Sequence, residues 1–106
     1  MTELLRQRDC SGLDRLGRAL ADPTRRSVLL ELLAGPACPS ELAERLGTTR
    51  PNLSNHLACL RGCGLIEATR TGRHLHYRLI NDELAALLRS LAHFGATLRV
   101  GDPHCP

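Results

Sequence analysis

The chain of 106 residues has room for one small core, and its 14 basic residues against 11 acids give a formal net charge of only +3. With one Tyr, one Phe and no Trp, that core must be built from Leu and Ala, and burying a further apolar face by dimerisation would complete it. No run of about 18 apolar residues is present to cross a membrane, and the opening Met-Thr-Glu-Leu-Leu-Arg-Gln-Arg-Asp lacks the apolar centre of a signal peptide. The expectation is therefore a cytoplasmic protein with no membrane partner. There the five cysteines, an odd number, point to reduced thiols open to a metal or an oxidant rather than to a disulfide framework.

The charge is unevenly placed. Residues 45–80 hold Arg45, Arg50, Arg61, Arg70, Arg73 and Arg78 against the single acid Glu67, a local net of +5 inside a mildly acidic frame. That is the footprint of a nucleic-acid surface, although an ordinary solvated face would look the same on charge alone.

In chain order, residues 1–12 are polar and without a periodic stripe, and are expected to form a loose N-terminal arm, helical only near its end. The main domain is expected over residues 13–98. Leu13, Leu16, Ala19 and Leu20 make a short amphipathic helix. Asp22-Pro23 ends it and starts a second, Pro23 to Leu33, with Asp22 as cap and Pro23 at the first helical position, where its missing N–H costs nothing. Gly35-Pro36 breaks this helix. A third runs from Pro39 to Leu46 with Cys38 or Ser40 near its cap, and Gly47-Thr48 is a sharp turn into a fourth. Two short helices joined through a Gly turn form the helix-turn-helix pattern, which a plain helical hairpin would share.

The fourth helix carries most of the chemistry. It opens at a Thr cap, Thr48 or Thr49, and stops at Gly62 and Gly64, with Leu53, Leu57 and Leu60 as its core face. At roughly 100° per residue, with Leu53 at zero, Asn55 falls near ~200°, Cys59 near ~240°, Asn52 near ~260°, Cys63 near ~280° and His56 near ~300°. One side thus holds amide and imidazole groups suited to DNA in its first half and two thiols one turn apart in its second. Thr49, Arg50, Asn52, Ser54, Asn55 and His56 are the candidate DNA contacts of this helix. For His56, packing against a neighbouring helix or bonding to a phosphate competes with base contact.

Leu65 to Arg70 and Arg73 to Leu79 read as strands joined at Thr71-Gly72, with Leu75, Tyr77 and Leu79 alternating against His74, His76 and Arg78. A basic hairpin directly after a helix-turn-helix is a wing, and Arg70, Arg73 and Arg78 are its candidate phosphate contacts. The fold class expected is mainly α with a β-hairpin wing, a homodimeric winged helix-turn-helix. Asn81 caps a last helix whose Leu84, Leu87, Leu88, Leu91 and Phe94 form a stripe suited, with the one from Leu13 to Leu20, to a two-fold dimer interface. Residues 99–106 form a tail ending in His104, Cys105 and Pro106.

Helix positions i and i+4 place Cβ atoms about 5 to 6 Å apart, so Cys59 and Cys63 can converge on one ion. Soft thiolates select soft or borderline metals. Buried apolar filler is the competing role for a helical Cys pair. A thiol reductase would want Cys-x-x-Cys at a helix start beside a parallel sheet, which is not found here, and no catalytic constellation is evident, so an enzyme is not expected. A structural zinc module would unfold on chelation instead of switching DNA affinity.

Three stretches bear a family likeness: Leu16-Gly-Arg-Ala-Leu-Ala-Asp-Pro-Thr-Arg-Arg, Ser40-Glu-Leu-Ala-Glu-Arg-Leu-Gly, and Leu53-Ser-Asn-His-Leu followed by Leu-Arg and Gly64-Leu-Ile. Over residues 13 to 95 the chain resembles the ArsR/SmtB family of metal-sensing winged-helix repressors. Within it, Ser54-Asn-His-Leu-Ala-Cys-Leu-Arg-Gly-Cys-Gly-Leu is most similar to a subfamily of cadmium and lead sensors, which takes two thiolates from the DNA-reading helix and a third from the C-terminal tail. The resemblance implies a homodimer that binds double-stranded operator DNA, an imperfect inverted repeat, and releases it when metal binds. It makes Cys59, Cys63 and Cys105 the ligands, with His104, Cys10 and Cys38 as possible accessories, and Cd2+ or Pb2+ the inducer. Zn2+, arsenite or antimonite sensing, or oxidation of Cys59 with Cys63, remain alternatives on the same fold.

Overall fold

The computed structural model describes the backbone of residues 2–98 and the side chains of residues 11–98. In chain order the elements are α1 (Thr2–Ala21), α2 (Pro23–Glu31), a 3-10 turn (Leu32–Ala34), α3 (Pro39–Leu46), α4 (Arg50–Gly62), β1 (Ile66–Thr71), β2 (His74–Leu79) and α5 (Asp82–Thr97). Over residues 2–12 the expected arm, helical only near its end, is instead helical throughout and forms the first half of α1. Leu, Glu, Arg and Gln there are good helix formers with no Pro among them, so the absence of an apolar stripe did not mean absence of helix.

Asp22 makes the corner between α1 and α2. Its Oδ2 accepts the Arg25 N–H at 2.9 Å, and Pro23 opens the helix behind it. Two guanidinium groups of α2 reach back to the free carbonyls ending α1, Arg25 to Arg18 and Arg26 to Leu20 at 2.7 Å. Cys38 caps α3 in a box with Glu41, whose carboxylate accepts the Cys38 N–H at 3.0 Å. Gly47, at φ 64°, closes α3 in the left-handed region where a side chain would be strained, and so turns the chain into α4.

β1 and β2 are antiparallel with Ala68 opposite Tyr77 and Glu67 opposite Arg78. An unforeseen third strand-like contact ties this hairpin to the body: Ala37 and Tyr77 exchange backbone hydrogen bonds of 3.0 and 2.8 Å. It anchors the wing beside the start of α3.

Val28, Leu29, Leu42, Leu53 and Leu60 are fully buried, and Leu32, Leu57, Ile66, Tyr77, Leu84 and Leu88 complete the core. The apolar stripe foreseen on α5 is divided between two partners. Leu84 and Leu88 enter this core, whereas Leu87, Leu91 and Phe94 stay 52%, 53% and 62% exposed. Leu91 and Leu88 join Leu20 and Leu30 around an apolar groove of about 290 Å3 between α1, α2 and α5. Leu13, placed by its spacing in the stripe suited to a dimer interface, is 63% exposed in the single chain. No helix among the described residues is long and apolar enough to cross a membrane.

Candidate functional site

The site is built on α4. Thr49 caps it, its Oγ1 accepting the Asn52 N–H at 3.3 Å, while Thr48 Oγ1 accepts from the Asn52 side chain at 2.8 Å. Asn52 is therefore held in place by the turn before the helix begins. Arg50, Asn52, Ser54 and Asn55 are exposed, whereas Leu53, Leu57 and Leu60 of the same helix are buried. Amide groups fixed on the open face of the second helix of a helix-turn-helix are placed to meet base edges in a major groove.

His56 departs from that set. Its side chain is 18% exposed, and its Nδ1 lies 3.6 Å from Asp22 Oδ2 at the α1–α2 corner. Of the roles open to it from sequence, base contact, phosphate bonding or packing against a neighbouring helix, the geometry favours the last. The Asp22 carboxyl is held below the usual carboxylate range, first by the Arg25 N–H it caps and then by the charge of His56.

The wing and the start of α4 enclose a basic cleft of about 340 Å3 lined by Arg50, Arg70, Arg73, His74 and Cys38. Arg50, Arg70 and Arg73 are exposed and form no ion pair among the described residues. Arg78, counted from sequence with the other wing arginines, is committed elsewhere: its Nε donates to Glu67 Oε1 at 2.6 Å across the strand pair. Its charge is locally neutralised, a consequence of register that no local pattern announces. His74 and His76 face each other with ring centroids 6.3 Å apart.

Cys59 is exposed and Cys63 half-buried, packed against the edge of the core. Cys63 is the residue that ends α4, its N–H bonded to Cys59 O at 3.0 Å, so the two remain one helical turn apart. Two thiols at this spacing fit a soft ion as a pair of donors. Among the described residues no three His, Cys, Asp or Glu side chains converge well enough to hold a metal, so a complete seat requires a donor from elsewhere. The candidate donors His104 and Cys105 and the side chain of Cys10 lie outside the described residues. Cys38 is turned toward Ser40, with Sγ 3.2 Å from its Oγ, in the basic cleft rather than with Cys59 and Cys63. Its contacts, with those of the Cys38 N–H, hold the Glu41 carboxyl below the usual range.

A helix-turn-helix with an open polar face, a basic hairpin wing beside it and an unpartnered apolar stripe on the last helix define a winged-helix DNA-binding regulator. Residues 22–68 match the bacterial regulatory protein, arsR family. The chain is 57% identical over 81 residues to the HTH-type transcriptional regulator CmtR of Mycobacterium tuberculosis, covering 76% of this chain and 69% of that one. Among solved structures it resembles the cadmium metal-sensor CMTR of M. tuberculosis, with TM-score 0.70 and 49% identity over 89% of this chain and 97% of the other. It also resembles the homodimeric winged helix-turn-helix DNA-binding domain Mb0332 of Mycobacterium bovis, with TM-score 0.80 and 26% identity over 87% and 85% of the two chains. The chain belongs to the ArsR family of transcriptional regulators, which are not enzymes.

Proposed function

We propose that the chain is a homodimeric repressor that binds operator DNA and releases it when a soft metal ion, cadmium or lead first, is captured by the thiolates of Cys59 and Cys63 with a third donor from the tail. The observation that carries this reading is the position of the two thiols on the last turn of the same helix whose first half exposes Arg50, Asn52, Ser54 and Asn55. The cadmium sensor among the similar structures supports the class of ion. The exposed α5 stripe and its groove support the dimer, as does the homodimeric relative. Cys105 is the preferred third donor, because a thiolate matches the softness of the other two, and His104 is its rival. A two-fold dimer reads an imperfect inverted repeat with half-sites about one helical turn, roughly 34 Å, or a multiple apart. It works in the cytoplasm, where its thiols stay reduced.

The test is a titration of the reduced protein with cadmium, lead, zinc and arsenite while operator binding is followed by fluorescence anisotropy. Cadmium or lead should release the DNA at the lowest concentration, and Cys59→Ser, Cys63→Ser and Cys105→Ser should each abolish release while leaving metal-free binding intact. Release that persists in both helix variants sinks the site. Release by arsenite alone, or by oxidant without metal, reassigns the signal.

A further inference from the structure

His56 lies on α4 between the open polar face and the thiols, yet its ring is largely covered where Asn52, Ser54 and Asn55 are exposed. Its Nδ1 faces Asp22 Oδ2 at 3.6 Å. That oxygen is already fixed, since it accepts the Arg25 N–H at 2.9 Å. The corner carrying it is fastened in turn by the Arg25 and Arg26 guanidinium groups on the last carbonyls of α1. A ring engaged in this way has little free edge for a base, but it has a rigid carboxylate to hold to. The buried leucines of α4 seat it in the close-packed core. The His56–Asp22 contact, at ion-pair rather than hydrogen-bond distance, adds a tie at the flank, between the reading helix and the α1–α2 corner.

We infer that His56 is a positioning residue: paired with Asp22, it braces α4 against the α1–α2 corner and so steadies the presentation of Asn52 and Asn55 to DNA, without reading a base itself. The inference rests on the DNA-binding reading above. It assigns Asp22 a second task besides capping α2, and it ties the reading helix to the same α1–α2 corner that flanks the apolar groove.

The experiment uses the full chain, reduced and metal-free, and a duplex selected by the wild-type protein from a random-sequence library. His56→Gln, Asp22→Asn and the double variant are compared for affinity and for base preference at every position of that duplex. Asn caps a helix as well as Asp does, so Asp22→Asn removes the charge while keeping α2. Each single variant should lose roughly two- to thirtyfold in affinity, the contribution of two exposed pairs, one per subunit of the dimer. The double variant should lose no more than the worse single, and base preferences should stay as in the wild type. In the free protein, Asp22→Asn should shift the NMR resonances of the His56 ring and leave those of His74 and His76 in place, a readout independent of DNA. Multiplying losses, a preference relaxed at one base position in His56→Gln alone, or unchanged affinity in both singles overturns the inference while leaving the repressor reading intact. A wild-type protein that selects no sequence overturns both.

Discussion

The charge of the wing is divided unequally, and salt dependence of DNA binding measures the division. Arg73 is exposed, lines the basic cleft with Arg50 and Arg70, and has no ion-pair partner among the described residues. Arg78 is closed onto Glu67. Removing one cation from a phosphate reduces the slope of log affinity against log salt by about 0.9, so Arg73→Ala, which removes two such cations from a homodimer, should make it shallower by about 1.8. Between 50 and 200 mM salt, a fourfold span, the variant should then lose roughly tenfold less affinity than the wild type does. The charge-neutral double substitution Glu67→Gln/Arg78→Gln removes a pair that contributes no free cation, and its slope should match the wild type. Fluorescence anisotropy with the same operator duplex at five salt concentrations measures both. A slope that falls as far for the double variant as for Arg73→Ala would show that Arg78 leaves Glu67 to bind phosphate, and would refute the division.

The apolar stripe of α5 separates assembly from folding: Leu91→Glu, at an exposed position, should give a helical monomer by sedimentation with weakened operator binding, whereas Leu88→Ala should lower the unfolding free energy by about 2 to 5 kcal/mol. Cys59→Ser, fully on the surface, should change stability by less than about 0.5 kcal/mol, while Cys63→Ser should cost about 1 kcal/mol by placing a hydroxyl at the core edge, both read from urea midpoints. Asp22 and Glu41 each have a carboxyl lowered in the folded state, by the Arg25 N–H and by Cys38 respectively. The stability they contribute is complete above the ordinary carboxylate range and is lost as pH falls through the lowered values, so urea midpoints should drop only once the pH is below the ordinary carboxylate range. Asp22→Asn and Glu41→Gln should each flatten that acid limb.

Local chemistry was legible in the chain and long-range pairing was not. Asp22-Pro23, Pro39, Thr49 and Asn81 mark helix starts because a cap is made within three residues of itself, and the structure has all four helices beginning there. Leu53, Leu57 and Leu60 identify the buried face of α4 for the same reason: helical spacing alone puts them together. Periodicity identifies a face but not what meets it, so the α5 stripe gave no sign that Leu84 and Leu88 enter this core while Leu87 and Leu91 stay exposed. His56 and Asp22, or Arg78 and Glu67, are matched only once helices cross and strands pair. The i, i+4 spacing of Cys59 and Cys63 was evident; the half-burial of Cys63 depends on how the end of α4 settles against the core.

That half-burial bears on how one helix could serve two ligands. α4 is held along its length, by His56 at Asp22, by three buried leucines, and at its end by the Leu65 N–H on Leu60 O at 3.1 Å. A helix so fastened moves as one body, so a demand made at its last turn reaches Asn52 and Asn55 as rotation or displacement. An ion taken by Cys59 alone makes no such demand, because that side chain is already exposed. On the proposed function, drawing Cys63 from the core edge onto the same ion would make one, and a third donor from the tail would set the direction of the pull. By linkage, whatever free energy this costs the DNA-bound geometry is returned as weaker metal binding on DNA, typically about 1 to 3 kcal/mol in coupled systems, or about 5- to 150-fold. On the proposed function, Cys63, rather than the more accessible Cys59, would be the ligand through which metal capture becomes release.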